Sequence, residues 1–325
     1  MGALSLLKET GVYKTVLGDK KTGRISHAYL ILSQDKDNLI NYLKALASLI
    51  VCDDGDPCGK CRSCSLIESG GHADVVVVDK EGAILADDVN NIIEESFIKP
   101  IESSKKVFVI NGAEKMNQSA QNKILKILEE PPKNVHFILG ATSEFALLLT
   151  VKSRTKKLTI PPFSNQMLLK ELEKECDDKD KLLRAIRFGD GTVGKAKSLY
   201  FDDKFNDTIE FAIDMIVNMN SSRDVLEYSV KASKLKGELE DLLDVLEFLL
   251  RDMLIASENR DDLLINTDAR AKTKGAKGFN SGAIIHALDK ISEARKRKKF
   301  NANPQMLTEW LMLQILEGKF KWQKL

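Results

Sequence analysis

Short apolar runs and amphipathic stripes alternate along the first half of the chain. Ile25–Leu32 (ISHAYLIL), Val75–Asp79 (VVVVD), Lys106–Asn111 (KVFVIN) and Val135–Ala141 (VHFILGA) are runs of strand length rich in Val and Ile. Continuous runs of this kind suit strands of a parallel sheet buried on both faces, and Val75–Asp79 reads as a central strand of it. Between them, Asn38–Val51 and Ala86–Phe97 carry apolar residues at helical spacing. After Lys106–Asn111, Asn117 is placed to cap a helix whose stripe is Ala120, Ile124, Ile127 and Leu128. Pro131-Pro132 closes it, because a residue before proline avoids the helical region. The pattern from Ile25 to Ile160 therefore predicts an α/β domain with a parallel sheet and helices on both faces.

Beyond Pro161-Pro162 the pattern becomes helical. Met167–Lys174 and the stretch AIRFGDGTVGKAKSL predict a small helical domain. Leu239, Leu242, Leu243, Leu246, Leu249, Leu250 and Met253 recur at steps of three and four and predict a long core-facing helix. Residues 257–282 are mostly polar and glycine-bearing, which predicts a long mobile connection, and Ala283–Phe300 and Gln305–Glu317 predict two last helices. The boundaries expected are 1–163 for the α/β domain, 164–204 for a helical lid and 205–325 for an all-α domain.

Composition narrows the functions without choosing one. With 43% apolar and 30% charged residues among 325, the chain has the makings of a sizeable core. Lys plus Arg number 49 and Asp plus Glu 48, so no global field draws the chain onto nucleic acid. The basic run Arg295–Lys299 is either a solvated helix face or a local phosphate contact. No apolar run approaches the ~20 residues of a membrane span, and Met1–Leu17 lacks the apolar centre of a signal peptide, so a cytoplasmic protein is expected.

Four of the five cysteines, Cys52, Cys58, Cys61 and Cys64, fall in CDDGDPCGKCRSC, residues 52–64. Two consecutive C-x-x-C steps put thiolates on a tight knuckle, and a fourth completes a tetrahedron for zinc at ~2.3 Å Zn–S distances. Four protein ligands leave no open position, so the zinc expected here is structural. The competing readings are disulfides, unusual in a reducing compartment, and a redox pair, which does not need four sulfurs. His72 is the alternative fourth ligand to Cys52. Cys176 lies apart in a charged helical stretch and is expected to be a free thiol.

The connection after the first strand bears on catalysis. A phosphate-binding loop of the form G-x-x-x-x-G-K-[ST] uses glycines to bring backbone N–H groups onto the phosphates. The sequence here is LSQDKDNL, with no glycine between Arg24 and Asp54. Asp35 and Asp37 would repel a triphosphate, and Lys36 reads as a solvated helix-start residue.

The run AEKMNQSAQNKILKILEEPP, followed by FILGATSE and by Ser153-Arg154, resembles the AAA+ ATPase-fold domain shared by bacterial clamp-loader subunits of DNA polymerase III. In that family the strand before the run ends in an acidic pair that holds magnesium; the matching positions are Asn111 and Gly112, which cannot. Thr142 matches a residue that senses the γ-phosphate, and Lys195 stands where an arginine contacts the subunit's own nucleotide. Arg154 matches the arginine that reaches across a subunit boundary to a neighbour's ATP; Thr155 departs from the family's Ser-Arg-Cys. A similar zinc knuckle follows the first helix in the family, with a longer gap after its first cysteine. Asn301, Asn303 and Pro304 resemble its C-terminal oligomerisation, or collar, domain.

The resemblance implies a stationary, non-catalytic subunit of the ring that loads the sliding clamp onto primer–template DNA, with no ATP in its own site. Its partners would be the gamma/tau ATPase subunits and the delta subunit, and Arg154 would complete a neighbour's catalytic site. The alternatives are an ATPase motor subunit of the same architecture, which would bind ATP and magnesium itself, and a zinc-dependent DNA-binding adaptor reading nucleic acid through Lys60 and Arg62. Asp53, Asp54 and Asp56 beside the knuckle oppose the adaptor.

Overall fold

The computed structural model describes residues 2–53, 55–232, 239–257, 276, 278–300 and 302–322. Most of the connection expected over 257–282 lies outside the described residues, as do Asp54 and Asn301. The chain divides into two compact units. One comprises Met1–Glu175 with Gly189–Lys195, the other Cys176–Phe188 with Ala196–Leu325.

The first unit is built on a five-stranded parallel sheet: β1 (Ala28–Leu32), β2 (Val75–Asp79), β3 (Lys106–Asn111), β4 (Val135–Ala141) and β5 (Lys156–Thr159), in the order β2-β3-β4-β1-β5. Register places Val75 opposite Val107, Lys106 opposite Val135, Ala28 opposite Phe137 and Tyr29 opposite Lys156. Every residue of β4 is buried, and every residue of β3 except Asn111, so these central strands read as unbroken apolar runs. Phe108 and Phe137 stack across them at 5.4 Å. Helix Lys36–Val51 packs so closely on β4 that a Cβ at Gly140 would lie 2.4 Å from Leu43 Cδ1.

The helix Gln118–Glu129 starts as expected, with the Asn117 side chain accepting from Ala120 N at 2.8 Å. Ala120, Ile124, Ile127 and Leu128 are all buried. Helix Ala86–Ser96 matches its expected span to within a residue.

Three expectations need correction. Val75–Asp79 is an edge strand whose three middle valines are half-buried, because a β-branched run suits one packed face as well as two and carries no strand order. The first strand begins at Ala28; Ser26 forms a turn, its N–H donating to Tyr29 Oη and its hydroxyl to Ala28 O. Strand β5 was hidden in the polar string KKLT, where lysines protect an exposed edge. Two N-terminal helices, Gly2–Glu9 and Gly11–Lys21, also precede the sheet.

The second unit is helical: Lys179–Phe188, Asp203–Asn218, Ser222–Ala232, Leu239–Ser257, Ser281–Lys299 and Pro304–Lys321. Leu242, Leu243, Leu246, Leu249 and Leu250 of the predicted stripe are buried against Ile209, Ile291 and Leu311. Phe188 meets Phe205 and Phe248 edge-on at 5.2 and 4.7 Å. Asn303 caps the last helix, accepting from Gln305 N and Met306 N, with Pro304 opening it. Among the described residues, no helix is long and apolar enough to cross a membrane. Cys176 is buried and outside any disulfide, and it lies in the connection between two helices rather than in a helix.

Candidate functional site

The parallel strands end together, and the edge they form is where open α/β sheets receive ligands. A cleft of about 250 Å³ opens there, lined among others by Lys36, Asp37, Asp79, Asn111, Glu114 and Thr142. Several of its polar groups are partnered inside the chain, while Glu114 Oε2 is buried without a hydrogen-bond partner. Asn111 Nδ2 donates to Asp79 Oδ1 at 2.8 Å, joining the ends of β3 and β2. Thr142 donates its hydroxyl to Glu114 Oε1 at 2.6 Å, and its N–H bonds the same oxygen at 3.0 Å. Lys115 Nζ reaches Lys80 O at 2.5 Å. Lys195 lies outside this lining and pairs with Asp190. At Gly112 the backbone has φ +77°, a left-handed conformation that a side-chain-bearing residue enters only with strain, and a one-turn 3-10 helix, Ala113–Lys115, follows it.

Arg154 stands elsewhere and does not line that cleft. It follows the one-turn helix Leu149–Lys152 and is half-buried. Its Nη2 pairs with Glu129 Oε1 at 2.6 Å and its Nη1 donates to Thr150 O at 3.0 Å. His27 Nε2 holds the Arg154 carbonyl at 3.1 Å. The turn before it is pinned by Gln121, which sequence reading passed over. Gln121 Nε2 donates to Met116 O and Ala146 O at 3.0 and 2.9 Å, while its Oε1 accepts from Leu148 N at 2.7 Å. A buried glutamine on an apolar helix stripe was the available signal. Thr155 hydrogen-bonds Val151 O and Lys152 O, a local capping role.

The structure brings Cys52, Cys58, Cys61 and Cys64 together, all four sulfurs within 4.8 Å of one another. Cys52 terminates helix Lys36–Val51, and Cys61 caps helix Arg62–Ser69. Backbone N–H groups already face the sulfurs, Cys61 N toward Cys58 Sγ at 3.2 Å and Cys64 N toward Cys61 Sγ at 3.4 Å. Cys52 Sγ lies 3.8 Å from Cys61 Sγ, close to the ~3.8 Å edge of a tetrahedron with ~2.3 Å metal–sulfur bonds. Burial pushes the Cys64 thiol up to about 12, so a cation is what would keep it ionised there. The four can hold a metal ion. His72 is not part of this group: it is buried, and its Nδ1 accepts from Asp74 N at 3.1 Å.

The knuckle is docked on the N-terminal helices. Asp56 takes Lys8 Nζ at 2.9 Å and the Tyr13 hydroxyl, and Lys20 Nζ donates to Leu49 O at 2.8 Å and to Cys52 O. Arg62 is bonded to Glu102 at 3.1 Å. The basic run of the second unit is likewise engaged: Arg295 grips Glu240, Asp244 and Glu247, Lys298 pairs with Glu240, and Arg297 stacks on Trp310 at 4.0 Å. These pairs tie Arg295 and Lys298 to helix Leu239–Ser257, a packing role that neither reading of the run had named.

A family described as "DNA polymerase III, delta subunit" matches residues 9–164. Over 316 residues the chain is 28% identical to DNA polymerase III subunit delta' of Bacillus subtilis, covering 94% of this chain and 96% of that protein. Over nearly its whole length the chain is thus similar to a DNA polymerase III delta-prime subunit. Other clamp-loader relatives match less of their own length. DNA polymerase III subunit gamma of Buchnera aphidicola is 27% identical over 255 residues, 75% of this chain and 64% of that protein. Subunit gamma/tau of Mycobacterium tuberculosis is 32% identical over 155 residues, 45% and 27% respectively. Among solved structures, a gamma subunit-related protein of Thermotoga maritima aligns over 94% of this chain and 99% of its own at 18% identity and a TM-score of 0.44. The family expected from the residues around Asn117–Arg154 is the one that the comparisons return.

Proposed function

We propose that this chain is the non-catalytic, stationary subunit of a clamp-loader ring, that it binds no ATP of its own, and that Arg154 acts in trans on the ATP of an adjacent gamma/tau subunit. The observation that carries this reading is the internal pairing of the cleft at the strand ends. Asn111, which matches a magnesium-holding position of the family, and Thr142, which matches its γ-phosphate sensor, are partnered by Asp79 and Glu114; Lys195, outside the cleft lining, is partnered by Asp190. A triphosphate would have to displace two carboxylates, in a cleft that also presents Asp37. Arg154 lies outside that lining. Its guanidinium already holds an anion, Glu129, in a geometry that a phosphoryl oxygen can share or take over.

In this reading Cys52, Cys58, Cys61 and Cys64 hold one structural zinc ion, which ties the end of helix Lys36–Val51 to the start of helix Arg62–Ser69. Residues 1–163 are the AAA+ domain, 164–204 a lid and 205–325 the collar that joins the gamma/tau and delta subunits. Sliding clamp and primer–template DNA are met through the complex, in the cytoplasm. The test is ATP hydrolysis by the reconstituted loader, stimulated by clamp and DNA, with the intact chain against Arg154→Ala at equal ring assembly. A rate unchanged by the substitution would sink the trans-arginine assignment.

A further inference from the structure

Between β1 and helix Lys36–Val51 the chain places a carboxylate, Asp35, at 4% exposure. Asp35 Oδ2 accepts from Val193 N at 2.8 Å and from the Tyr42 hydroxyl at 3.0 Å, and Oδ1 accepts from Gly194 N at 3.0 Å. Its own N–H is turned inward onto Ser33 Oγ at 3.2 Å. Val193 and Gly194 open helix Val193–Phe201, so the carboxylate covers N–H groups that have no partner within the helix, where the peptide dipoles concentrate positive charge. That arrangement of N–H groups is the one by which helices receive phosphate. Here the anion belongs to the chain itself, to the very loop that in a P-loop protein would wrap the phosphates.

The fit is close. A Cβ at Gly194 would lie 2.6 Å from Asp35 Oδ1 and 2.7 Å from Asp37 Cβ, so only glycine admits the contact without displacement. Tyr42 is fully buried and packs on Phe163 at 6.0 Å, and Phe163 N donates to Gly191 O at 2.8 Å. The segment Gly189–Lys195 is therefore held from two sides, by Asp35 at Val193 and Gly194 and by Phe163 at Gly191.

We propose that Asp35 is a built-in anion, a specificity-determining carboxylate that stands in for phosphate at the start of helix Val193–Phe201. It fixes Gly189–Lys195 with no ligand present and closes that helix terminus to phosphate-bearing ligands by occupancy and by charge. The proposal rests on the reading of an unused nucleotide site but is separable from it.

The experiment uses the full chain carrying Asp35→Ala or Asp35→Asn, melted in rising sodium formate at constant ionic strength. Asp35→Ala is expected to melt several degrees below the unsubstituted chain and to regain most of that loss saturably as formate enters the vacated position, while the unsubstituted chain does not move. Inorganic phosphate is expected to stabilise Asp35→Ala alone. Asp35→Asn, which keeps the volume and loses the charge, is expected to exchange the Val193 and Gly194 amide protons about tenfold faster. An Asp35→Ala chain that melts with the unsubstituted one, or that gains no more from formate, overturns the proposal. If Asp35→Ala does not fold, unchanged amide protection in Asp35→Asn overturns it. Titration of magnesium-ATP into the unsubstituted chain separates the two readings. Binding there overturns the unused nucleotide site, whereas failed formate rescue without ATP binding overturns Asp35 alone.

Discussion

The cleft at the strand ends and the arginine turn lie in the same unit of the chain and treat their charges in opposite ways. In the cleft, Asn111 and Thr142 are matched by Asp79 and Glu114, and outside its lining the helix terminus at Val193 is matched by Asp35. Around Arg154 the backbone is pinned by Gln121 and His27, while the guanidinium stays half-buried with a largely exposed glutamate as its partner. Thr142 and Asp35 make their bonds below the surface, to partners of the same chain. A side chain whose backbone is rigid and whose charged end is held by an exposed group remains available to a phosphate. The contrast teaches that, at a sheet edge suited to a ligand, the chain's own side chains can take up the hydrogen-bonding groups that a ligand would otherwise meet.

The largest effect expected is on the arginine. Arg154→Ala in the reconstituted loader should lower stimulated ATP hydrolysis by a factor on the order of 10³ with assembly unchanged, the scale on which trans arginines act in GTPases. Arg154→Lys should recover only part of it, because an ammonium lacks the planar fork. Steady-state hydrolysis, with assembly followed by gel filtration, checks both.

The next effect concerns the knuckle. Cys64→Ser, or prolonged chelation of the intact chain, should remove the bound metal and lower the melting temperature, with metal content per chain read by elemental analysis. A Cys64→Ser chain that retains metal at full occupancy would break the four-sulfur assignment. His72→Ala should leave metal content unchanged.

Substitutions inside the cleft should give the opposite signature to Arg154→Ala. Thr142→Val leaves the Glu114 carboxylate without its hydroxyl donor and should cost about 1–2 kcal/mol in denaturant melts while leaving loader hydrolysis as it was. A fall in hydrolysis beyond the loss of folded protein would return Thr142 to a catalytic role and erase the contrast.

The smallest effect is one of pH, at the opposite end of β4. Burial holds His136 below its ordinary value, and its Nδ1 donates to Ser26 O at 2.9 Å. The folded chain therefore favours neutral imidazole. Below about pH 6.5 the unfolded chain takes up the proton first, so stability should fall with pH, by at most about 1.4 kcal/mol per unit, until the lowered folded value is reached. Denaturant melts at pH 7.5 and 5.5 on metal-loaded chain, with His136→Gln as the flat reference, measure it.

Much of this was legible in the order of residues. Apolar runs of strand length, Asn117 with its stripe and Pro131-Pro132, and the four cysteines within 52–64 are local patterns, and local patterns are set by periodicity, capping and ligand spacing. They pointed to an α/β sheet followed by helices, to the cysteine cluster and to the family that the comparisons return. What only the tertiary structure decided are relations between residues far apart in sequence. Val75–Asp79 proved an edge strand because strand order depends on crossovers, which leave no mark in a run of valines. Gln121 became the anchor of the arginine turn through carbonyl and N–H partners some 25 residues away. Asp35 looked like a charge placed to repel a triphosphate; the fold turned it onto N–H groups 158 and 159 residues further on, because a buried carboxylate must find donors wherever packing supplies them.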